Sequence, residues 1–404
     1  MKVLVLNCGS SSLKFQVIET ATAAAPGERD RKLARGLIER IGEKATCRFE
    51  ATGSRPHAEE VFIRDHDEAV QKVLAWLDSN YRARLDGVGH RVVHGGDHFT
   101  TSVLIDEEVI AAIEALNELA PLHNPACLSG IRASQAALGP SVPMVAVFDT
   151  SFHHTLPDYA SVYAIPYELS LRHGIRRYGF HGLAHRYVAL RYAEITATPS
   201  DQVNIITLHL GNGCSASAIR GGKSVDTSMG FTPLDGLVMG TRSGDLDPAV
   251  VGHLAGREGV DVAVVEKWLN EKSGLLGVSG RSNDMRELIE HAREDERAHL
   301  AIEIFCYRAR KYLGAYLAAL GGADAVVFSG GIGENSPHVR AKICEGMEWC
   351  GLEVDEERNA AVLGVEERIS LPHARIHVYV IPSDEELLIA RDTTSIIEKG
   401  RVDA

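Results

Sequence analysis

The chain has 404 residues, of which 45% are hydrophobic and 24% are charged, an ordinary composition for a globular protein. This length exceeds what one hydrophobic core usually holds, so we expect two domains. The formal net charge of -13 excludes a nucleic acid as the main partner, because a phosphate backbone binds to a basic face, yet a local cluster of cations can still hold a small anion.

Strands and helices alternate along the first half of the chain. Predicted strands lie at residues 2–18, where two of them flank a serine-rich turn, at 85–93 and at 143–147, and predicted helices lie at 66–79 and 106–119. Asp65 and Glu68 have the spacing of a capping box at the start of the first helix. Residues 20–60 show little periodicity, so we expect loops and edge strands there.

The second half repeats this order. Residues 205–220 predict a strand, a tight turn and another strand, as residues 3–18 do. After them the sequence predicts a helix at 300–320, a strand at 325–328, a helix capped by Ser336 and Pro337, and a last helix at 385–398 that packs on the first domain. This pattern indicates the α/β class, built from two related halves.

Seven cysteines are scattered along the chain without a C-x-x-C pair, which favours free thiols in a reducing cytosol and argues against a zinc site. The first apolar run, residues 3–6, is too short for the core of a signal peptide. No stretch approaches the roughly 18 apolar residues of a membrane helix. We therefore expect a cytoplasmic protein without a membrane partner.

Glycine-rich segments adjoin several of the apolar runs, at residues 7–12, 95–96, 211–213, 240–244 and 330–336. Glycine and serine at a strand end offer bare backbone N–H groups to an anion. Each segment alone is also explained by an ordinary hairpin turn, and Asn-Gly is the commonest such signal. Neither a Walker A loop nor a dinucleotide fingerprint occurs. Together the segments suggest a nucleotide held between two domains.

Charged side chains stand at the ends of the same runs. Arg91 ends a predicted strand and Arg242 lies between glycines, where a guanidinium can bind carboxylate or phosphoryl oxygens in bidentate fashion. Asp149 ends an apolar strand, a common place for a catalytic or metal-linked carboxylate, although an Asx-turn is the alternative. His123 and His181 lie in turn-like contexts. Each of these residues could also be a surface ion pair or a structural histidine.

Ten segments in this order resemble the acetate kinase family over the whole chain. They are LNCGSSSLK (6–14), GHRVVHGG (89–96), APLHNP (120–125), FDTSFH (148–153), RYGFHGLAH (177–185), HLGNGCS (209–215), DTSMGFTPLDGLVMGTRSGDLDP (226–248), SNDMR (282–286), FSGGIGENS (328–336) and SDEE (383–386). The resemblance implies two duplicated ribonuclease-H-like α/β domains of the actin and sugar-kinase type, with a nucleotide cleft between them. The implied domains are residues 1–150 plus 385–404, and residues 151–384 for nucleotide binding and dimerisation.

The implied reaction is reversible transfer of the ATP γ-phosphoryl group to acetate by direct in-line displacement, giving acetyl phosphate and ADP. It implies Mg²⁺, with Mn²⁺ as a possible substitute, and a homodimer through the second domain. One departure is Asp384, where the family often has Asn, which would add negative charge near the metal.

The resemblance also assigns site residues. The catalytic group is Asp149 (acid/base or metal-linked), His181 and Arg242 (transition-state stabilisation), Arg91, and His123 close by. Arg91 would hold the substrate carboxylate, and the methyl pocket would be formed by Val93, Leu122, Phe180 and Pro233. The metal ligands would be Asn7 and Glu385. ATP would be bound by Ser10, Ser12, Lys14, His209, Leu210, Gly211, Asn212, Gly213, Asp284, Met285, Arg286, Gly331, Ile332, Gly333, Glu334 and Asn335.

Three alternatives stay open. A propionate kinase is the nearest, because one methylene changes pocket binding by only about 1–3 kcal/mol, although Val93 is bulky enough to disfavour longer acids. A non-enzymatic ATP switch or filament protein would share the phosphate loops but would not need Arg91 and Arg242. A sugar kinase would need an aspartate base and polar groups that read hydroxyls, and the apolar Val93, Leu122 and Phe180 argue against it.

Overall fold

The computed structural model describes residues 1–21, 30–80, 84–121 and 123–402. Its strands are β1 (Lys2–Cys8), β2 (Ser12–Glu19), β3 (Arg31–Glu39), β4 (Lys44–Ala51), β5 (His57–Phe62), β6 (Gly87–Val92), β7 (Val103–Leu104), β8 (Met144–Phe148), β9 (Asn204–Leu210), β10 (Cys214–Arg220), β11 (Lys223–Thr227), β12 (Ala325–Ser329), β13 (Glu367–Arg368) and β14 (His377–Val380).

The helices are α1 (His66–Asn80), α2 (Glu107–Ala115), α3 (Asn124–Leu138), α4 (Asp158–Ser161), α5 (Tyr167–His173), α6 (Gly182–Thr196), α7 (Ala249–Glu258), α8 (Val262–Glu271), α9 (Gly274–Ser279), α10 (Met285–His291), α11 (Glu296–Leu320), α12 (Gly330–Asn335), α13 (Pro337–Cys344), α14 (Glu356–Ala361) and α15 (Glu385–Val402). In the described parts of the chain, no helix combines the length and the apolar character that a membrane span requires.

The chain separates into two compact units. The first contains Met1–Ser151 and the C-terminal segment from Asp384 onward, and the second contains Phe152–Ser383. In the described part of the first unit the sheet has the strand order β5-β4-β3-β2-β1-β6-β8-β7. In the second unit the order is β11-β10-β9-β12-β14-β13.

The two sheets repeat one pattern. Strands β3, β2 and β1 are antiparallel, β6 and β8 continue the sheet in parallel with β1, and β7 closes it antiparallel to β8. Strands β11, β10 and β9, then β12 and β14, then β13 follow the same sequence of directions. The predicted α/β class with two related halves is confirmed by this repeat.

The expectation of loops and edge strands at residues 20–60 is wrong for much of that range. Strands β3 and β4 lie inside the sheet, and β5 forms its edge. Along β4 every second residue is buried, beginning with Ala45 and Cys47. Because all of these buried residues except Phe49 have small side chains, the alternation carries a weak hydrophobic signal, and the sequence pattern missed it.

The last helix packs on the sheet of the first unit, as the sequence predicts. A Cβ at Gly89 in β6 would overlap the hydroxyl of Thr393 and lie 2.7 Å from Ile389. Glycine therefore lets α15 approach the strand closely. This packing brings the first turn of α15 beside the end of β6, and that turn contains Glu385.

Candidate active site

Three neighbouring strands of the first unit each place a polar side chain at the carboxyl end. Asn7 lies near the end of β1, Arg91 near the end of β6, and Asp149 directly follows β8. The Arg91 guanidinium donates from Nε to Asp149 Oδ1 at 3.1 Å and from Nη2 to Oδ2, and from Nη1 to Asn7 Oδ1 at 3.0 Å. Asp149 is only 1% exposed, so this bidentate pair holds a buried carboxylate.

Acidic side chains from α15 complete this cluster. Glu385 Oε2 lies 3.9 Å from Arg91 Nε, and the buried Glu386 accepts from Lys14 Nζ at 2.7 Å. Burial raises the pKa of the Glu385 carboxyl to about 7, with Asp149 and Glu386 adding to the rise and Arg91 opposing it. A carboxyl group whose pKa is raised to about 7 therefore lies beside the arginine.

The serine-rich turn and Asp384 lie in the same unit. Ser10 is exposed, and Gly9 N donates to Ser12 O at 2.8 Å to close the turn. Asp384 Oδ2 lies 2.6 Å from Lys32 Nζ, while its Oδ1 accepts from Leu387 N at 3.3 Å as a cap on α15. The charge that Asp384 adds is therefore paired within the protein.

A chain of hydrogen bonds holds His181 in the second unit. His181 has a left-handed backbone, with φ 56°, just before α6. Its Nδ1 lies 2.9 Å from Ser215 Oγ, which lies 2.8 Å from His185 Nε2, and His185 Nδ1 lies 2.7 Å from Thr207 Oγ1. Burial lowers the pKa of His185 well below its usual value, so this histidine is neutral. The strained backbone and the fixed ring are typical of a functional histidine.

Arg242 lies against the turn that follows β9. A Cβ at Gly213 would lie 3.3 Å from His181 Cε1 and 3.7 Å from Arg242 Nη1, so glycine leaves the backbone of this turn bare beside both side chains. Arg242 Nη1 donates to Pro233 O at 3.3 Å. Within the described residues Arg242 forms no ion pair with a carboxylate, and its charge is therefore available to an anion.

A cavity of about 780 Å³ in the second unit gathers most of the nucleotide-binding residues predicted in that unit. The predicted residues that line it are Gly211, Asn212, Asp284, Met285, Arg286, Gly331, Ile332 and Asn335. The residues that the sequence reasoning missed are Asn283, Ile289, Glu290, Ser336, Pro337 and His338. Helical periodicity from Met285 and Arg286 would have found the next turn of α10, because residues four apart share a face. The volume suits a nucleotide-sized ligand.

The remaining predicted nucleotide-binding residues of this unit lie outside the cavity lining, and they are His209, Leu210, Gly213, Gly333 and Glu334. Glu334 Oε1 accepts from Gly330 N at 2.8 Å and from Ser383 N at 3.1 Å, so its carboxylate braces the backbone. The expectation of an open glycine loop over 330–336 is wrong, because most of it forms α12. Ser336 then caps α13, with Pro337 as its first residue, as predicted.

Two of the four predicted methyl-pocket residues are buried. Val93 of the first unit is 6% exposed and Phe180 of the second unit is 2% exposed, while Leu122 lies outside the described residues. His123 precedes α3 in the first unit. Beside it, the buried Asn124 accepts from His94 N and donates to His94 O, a clamp on the segment after β6 that the sequence reasoning missed.

A sequence profile described as the Acetokinase family matches residues 2–391. The chain belongs to the acetokinase family. Among acetokinase relatives, the acetate kinase of Solibacter usitatus (strain Ellin6076) is 54% identical over 407 residues, which cover 98% of each chain.

Two solved acetokinase-family structures superpose on the whole chain. An acetate kinase from Porphyromonas gingivalis has a TM-score of 0.91 and 44% identity, and covers 98% of this chain and 99% of its own. A propionate kinase from Francisella tularensis subsp. tularensis SCHU S4 has a TM-score of 0.90 and 42% identity, with the same coverage. The predicted resemblance, the two-domain α/β fold of the sugar-kinase and actin type, and the phosphotransferase class are thereby confirmed.

The first-unit cluster fits the divalent metal that an acetokinase uses. Asn7, Asp149 and Glu385 supply amide and carboxylate oxygens, the donors that Mg²⁺ prefers. Among the described residues no three His, Cys, Asp or Glu side chains form a ready-made metal site. That is compatible with Mg²⁺, which usually takes one or two carboxylates and completes its shell with water and substrate phosphates.

Proposed function

We propose that this chain transfers the γ-phosphoryl group of ATP to acetate, reversibly and by direct in-line displacement, giving acetyl phosphate and ADP. The observation that carries the proposal is the 54% identity to an acetate kinase over nearly the whole chain. Phosphoryl transfer needs positioning and charge neutralisation more than covalent help from the enzyme. The polar residues around Arg91 in the first unit and around Arg242 in the second unit supply the positioning and the charge neutralisation.

The first unit binds the acceptor and the metal in this proposal. Arg91 holds the carboxylate of acetate, and Asn7 and Glu385 hold Mg²⁺, or Mn²⁺ in its place. Acetate is ionised at neutral pH, so its oxygen attacks without a general base. Asp149 is buried and engaged by two nitrogens of Arg91, which supports an orienting role for its carboxylate over proton removal. When bound, the metal neutralises phosphate oxygens.

The second unit binds the nucleotide in the same proposal. The cavity residues Met285 and Ile332 offer apolar surface to the nucleoside, and the turn that follows β9 offers the N–H groups of Asn212 and Gly213 to the phosphates, while Gly211 N closes the turn on Gly213 O. His181 and Arg242 lie against Gly213 and donate to the oxygens of the transferred group. An anion must attack a polyanion in this reaction, and these donors lower that repulsion.

We further propose a homodimer formed through the second unit, in the cytoplasm. Exposed apolar side chains on this unit support the dimer: Tyr159 is 88% exposed, and Leu171 and Tyr307 are each 62% exposed. All seven cysteines are free, which supports a reducing compartment.

Trapping of acyl phosphate as the hydroxamate tests the reaction and the substrate together. With ATP and Mg²⁺, we expect a strong signal with acetate, a weaker one with propionate and the weakest with butyrate, because each methylene costs about 1–3 kcal/mol in a small pocket. Reactions without ATP are the control. A stronger signal with propionate would assign the activity of the Francisella relative instead. No hydroxamate with any acid would favour a non-enzymatic ATP switch.

The dependence of the activity on Mg²⁺ concentration is expected to change with pH. Burial raises the pKa of Glu385 to about 7, so below that pH a proton competes with the metal for this carboxylate. The Mg²⁺ concentration for half-maximal activity is therefore expected to fall about tenfold per pH unit up to about pH 7 and then level off. Steady-state assays from pH 5.5 to 8.5 measure it.

Two variants isolate the contribution of Glu385 from the titration of ATP itself. Glu385→Gln cannot ionise, and we expect its metal dependence to vary with pH only as much as ATP does. Glu114→Gln alters an exposed carboxylate of the same unit and is expected to keep the wild-type profile. The same pH profile in wild type and Glu385→Gln would remove Glu385 from the metal site.

A further inference from the structure

The segment 236–245, which contains Arg242, is surrounded by charged and phenolic side chains that do not line the nucleotide cavity. Those that contact it or the residues just before it are Tyr163, Arg177, Asp235, Asp245, Arg308 and Tyr312. The proposed reaction gives none of them a role.

Asp245 closes this segment and fastens it to a helix. Its Oδ1 accepts from Gly236 N at 2.8 Å, and its backbone N donates to Gly236 O at 3.0 Å, so the two ends of the segment are joined twice. Its Oδ2 accepts from Tyr312 OH at 2.8 Å and lies 3.2 Å from Arg308 Nη1. Both partners belong to α11, the longest described helix. The segment is therefore attached to a rigid element.

Asp235 fastens the residues just before the segment. Its Oδ2 accepts from Tyr163 OH at 3.1 Å and lies 3.2 Å from Arg177 Nη1. Arg177 Nη1 also donates to the carbonyl oxygens of Thr227 and Ser228, at the end of β11. Asp235 thus ties this stretch to the edge of the sheet.

Asp235 and Asp245 also act on each other through their charges. Burial and the neighbouring Asp245 carboxyl raise the pKa of Asp235 to about 6, while Arg177 and the Tyr163 hydroxyl oppose the rise. Other groups that face this cluster are Asp226, Arg308, Tyr312 and Tyr316. Two neighbouring carboxyl groups destabilise the fold once both are ionised. A pair that carries this cost is a candidate for a role in activity.

We propose that Asp235 and Asp245 are positioning residues that hold Arg242 for phosphoryl transfer, which rests on the role of Arg242 in the proposed function. Arg242 lies inside the segment that Asp245 closes, where its carbonyl accepts from Met239 N at 3.1 Å. Its Nη1 donates to the carbonyl of Pro233, two residues before Asp235. The carboxyl pair therefore secures both the backbone that carries Arg242 and the group that its guanidinium contacts.

A double-mutant cycle tests the proposal. In the wild-type background, Asp245→Ala is expected to lower kcat about tenfold or more while the KM for ATP changes less than about threefold, since a small misplacement of a catalytic group slows transfer. In the Arg242→Ala background the same change is expected to lower kcat less than about threefold, because the group being positioned is gone. Equal loss in both backgrounds, or no loss in the wild type, overturns the proposal. Full activity of Arg242→Ala alone would instead overturn the proposed role of Arg242, and the positioning role with it.

The double-mutant cycle needs a control variant and a replacement for Asp245→Ala in case that variant does not fold. Asp247→Ala removes an exposed carboxylate two residues further along, which accepts from Ala249 N at 2.9 Å, and is expected to leave kcat within about twofold in both backgrounds. If Asp245→Ala does not fold, Tyr312→Phe takes its place, because it removes one hydrogen bond to Asp245 and leaves the Arg308 pair. For Tyr312→Phe, a loss of kcat that is smaller than the one expected for Asp245→Ala and is confined to the wild-type background supports the proposal. An equal loss of kcat in both backgrounds contradicts it.

A thermal measurement tests the raised pKa of Asp235. Folded protein keeps the Asp235 proton up to about pH 6, whereas the unfolded chain releases it near pH 4, so this group costs stability increasingly as pH rises through that range. Asp235→Asn cannot ionise. Its gain in Tm over wild type is expected to grow from about pH 5 to about pH 8. A Tm difference that is independent of pH contradicts the raised pKa of Asp235.

Discussion

Replacement of Arg91 by alanine is expected to lower both activity and stability. The guanidinium neutralises Asp149, which is 1% exposed, and also binds Asn7. Removal of one partner of a buried ion pair typically costs about 3–5 kcal/mol of folding free energy, because the other charge is left uncompensated. Loss of a donor to the reacting groups adds about a hundredfold or more in kcat. Urea unfolding and the hydroxamate assay measure the two losses separately.

A second substitution separates the loss of stability from the loss of activity. The double variant Arg91→Ala/Asp149→Asn removes the stranded charge, and we expect it to recover much of the stability but none of the activity. Arg132→Ala is the matched control, since its pair with Glu114 is exposed on the surface and such pairs contribute about 0–1 kcal/mol. Turnover near the wild-type value in Arg91→Ala would remove Arg91 from the site.

The first-unit cluster shows which part of the site a sequence can predict. Asn7, Arg91 and Asp149 each follow or end an apolar run, and parallel strands bring their carboxyl ends to one edge, so the three could be grouped from the pattern. Glu385 was placed by the resemblance alone. Its approach to Arg91 depends on how α15 packs over Gly89, a tertiary contact that no local pattern contains.

Partners of functional residues were harder to predict than the residues themselves. Ser215 lies beside the ring of His181 and is itself held by His185. The local sequence around these two residues gives no signal of this arrangement. Lys32 neutralises Asp384 from a strand that the sequence reasoning treated as irregular. Hydrogen bonds of this kind follow from the fold, so they become visible only when the elements are assembled.

Replacement of Arg242 by alanine is expected to affect stability much less than replacement of Arg91 does. The Arg242 guanidinium donates to the Pro233 carbonyl, and in the described part of the chain it has no carboxylate partner, so its removal leaves no buried charge. We therefore expect Arg242→Ala to keep its free energy of unfolding within roughly 1 kcal/mol of wild type. Its kcat is expected to fall about a hundredfold or more, equivalent to about 3 kcal/mol of barrier, because one donor to the transferred phosphoryl group is lost.

A comparison of Arg242→Lys with Arg242→Ala separates the contribution of the positive charge from that of the planar guanidinium. Arg242→Lys keeps the positive charge but loses the planar fork, so we expect its kcat to lie between those of wild type and Arg242→Ala. Arg257→Ala, at the end of α7, is the matched control and is expected to behave as wild type. Parallel hydroxamate assays and urea unfolding of the three variants measure this. If Arg242→Ala instead unfolds as readily as Arg91→Ala, its lost activity reflects the fold, and Arg242 is a structural residue.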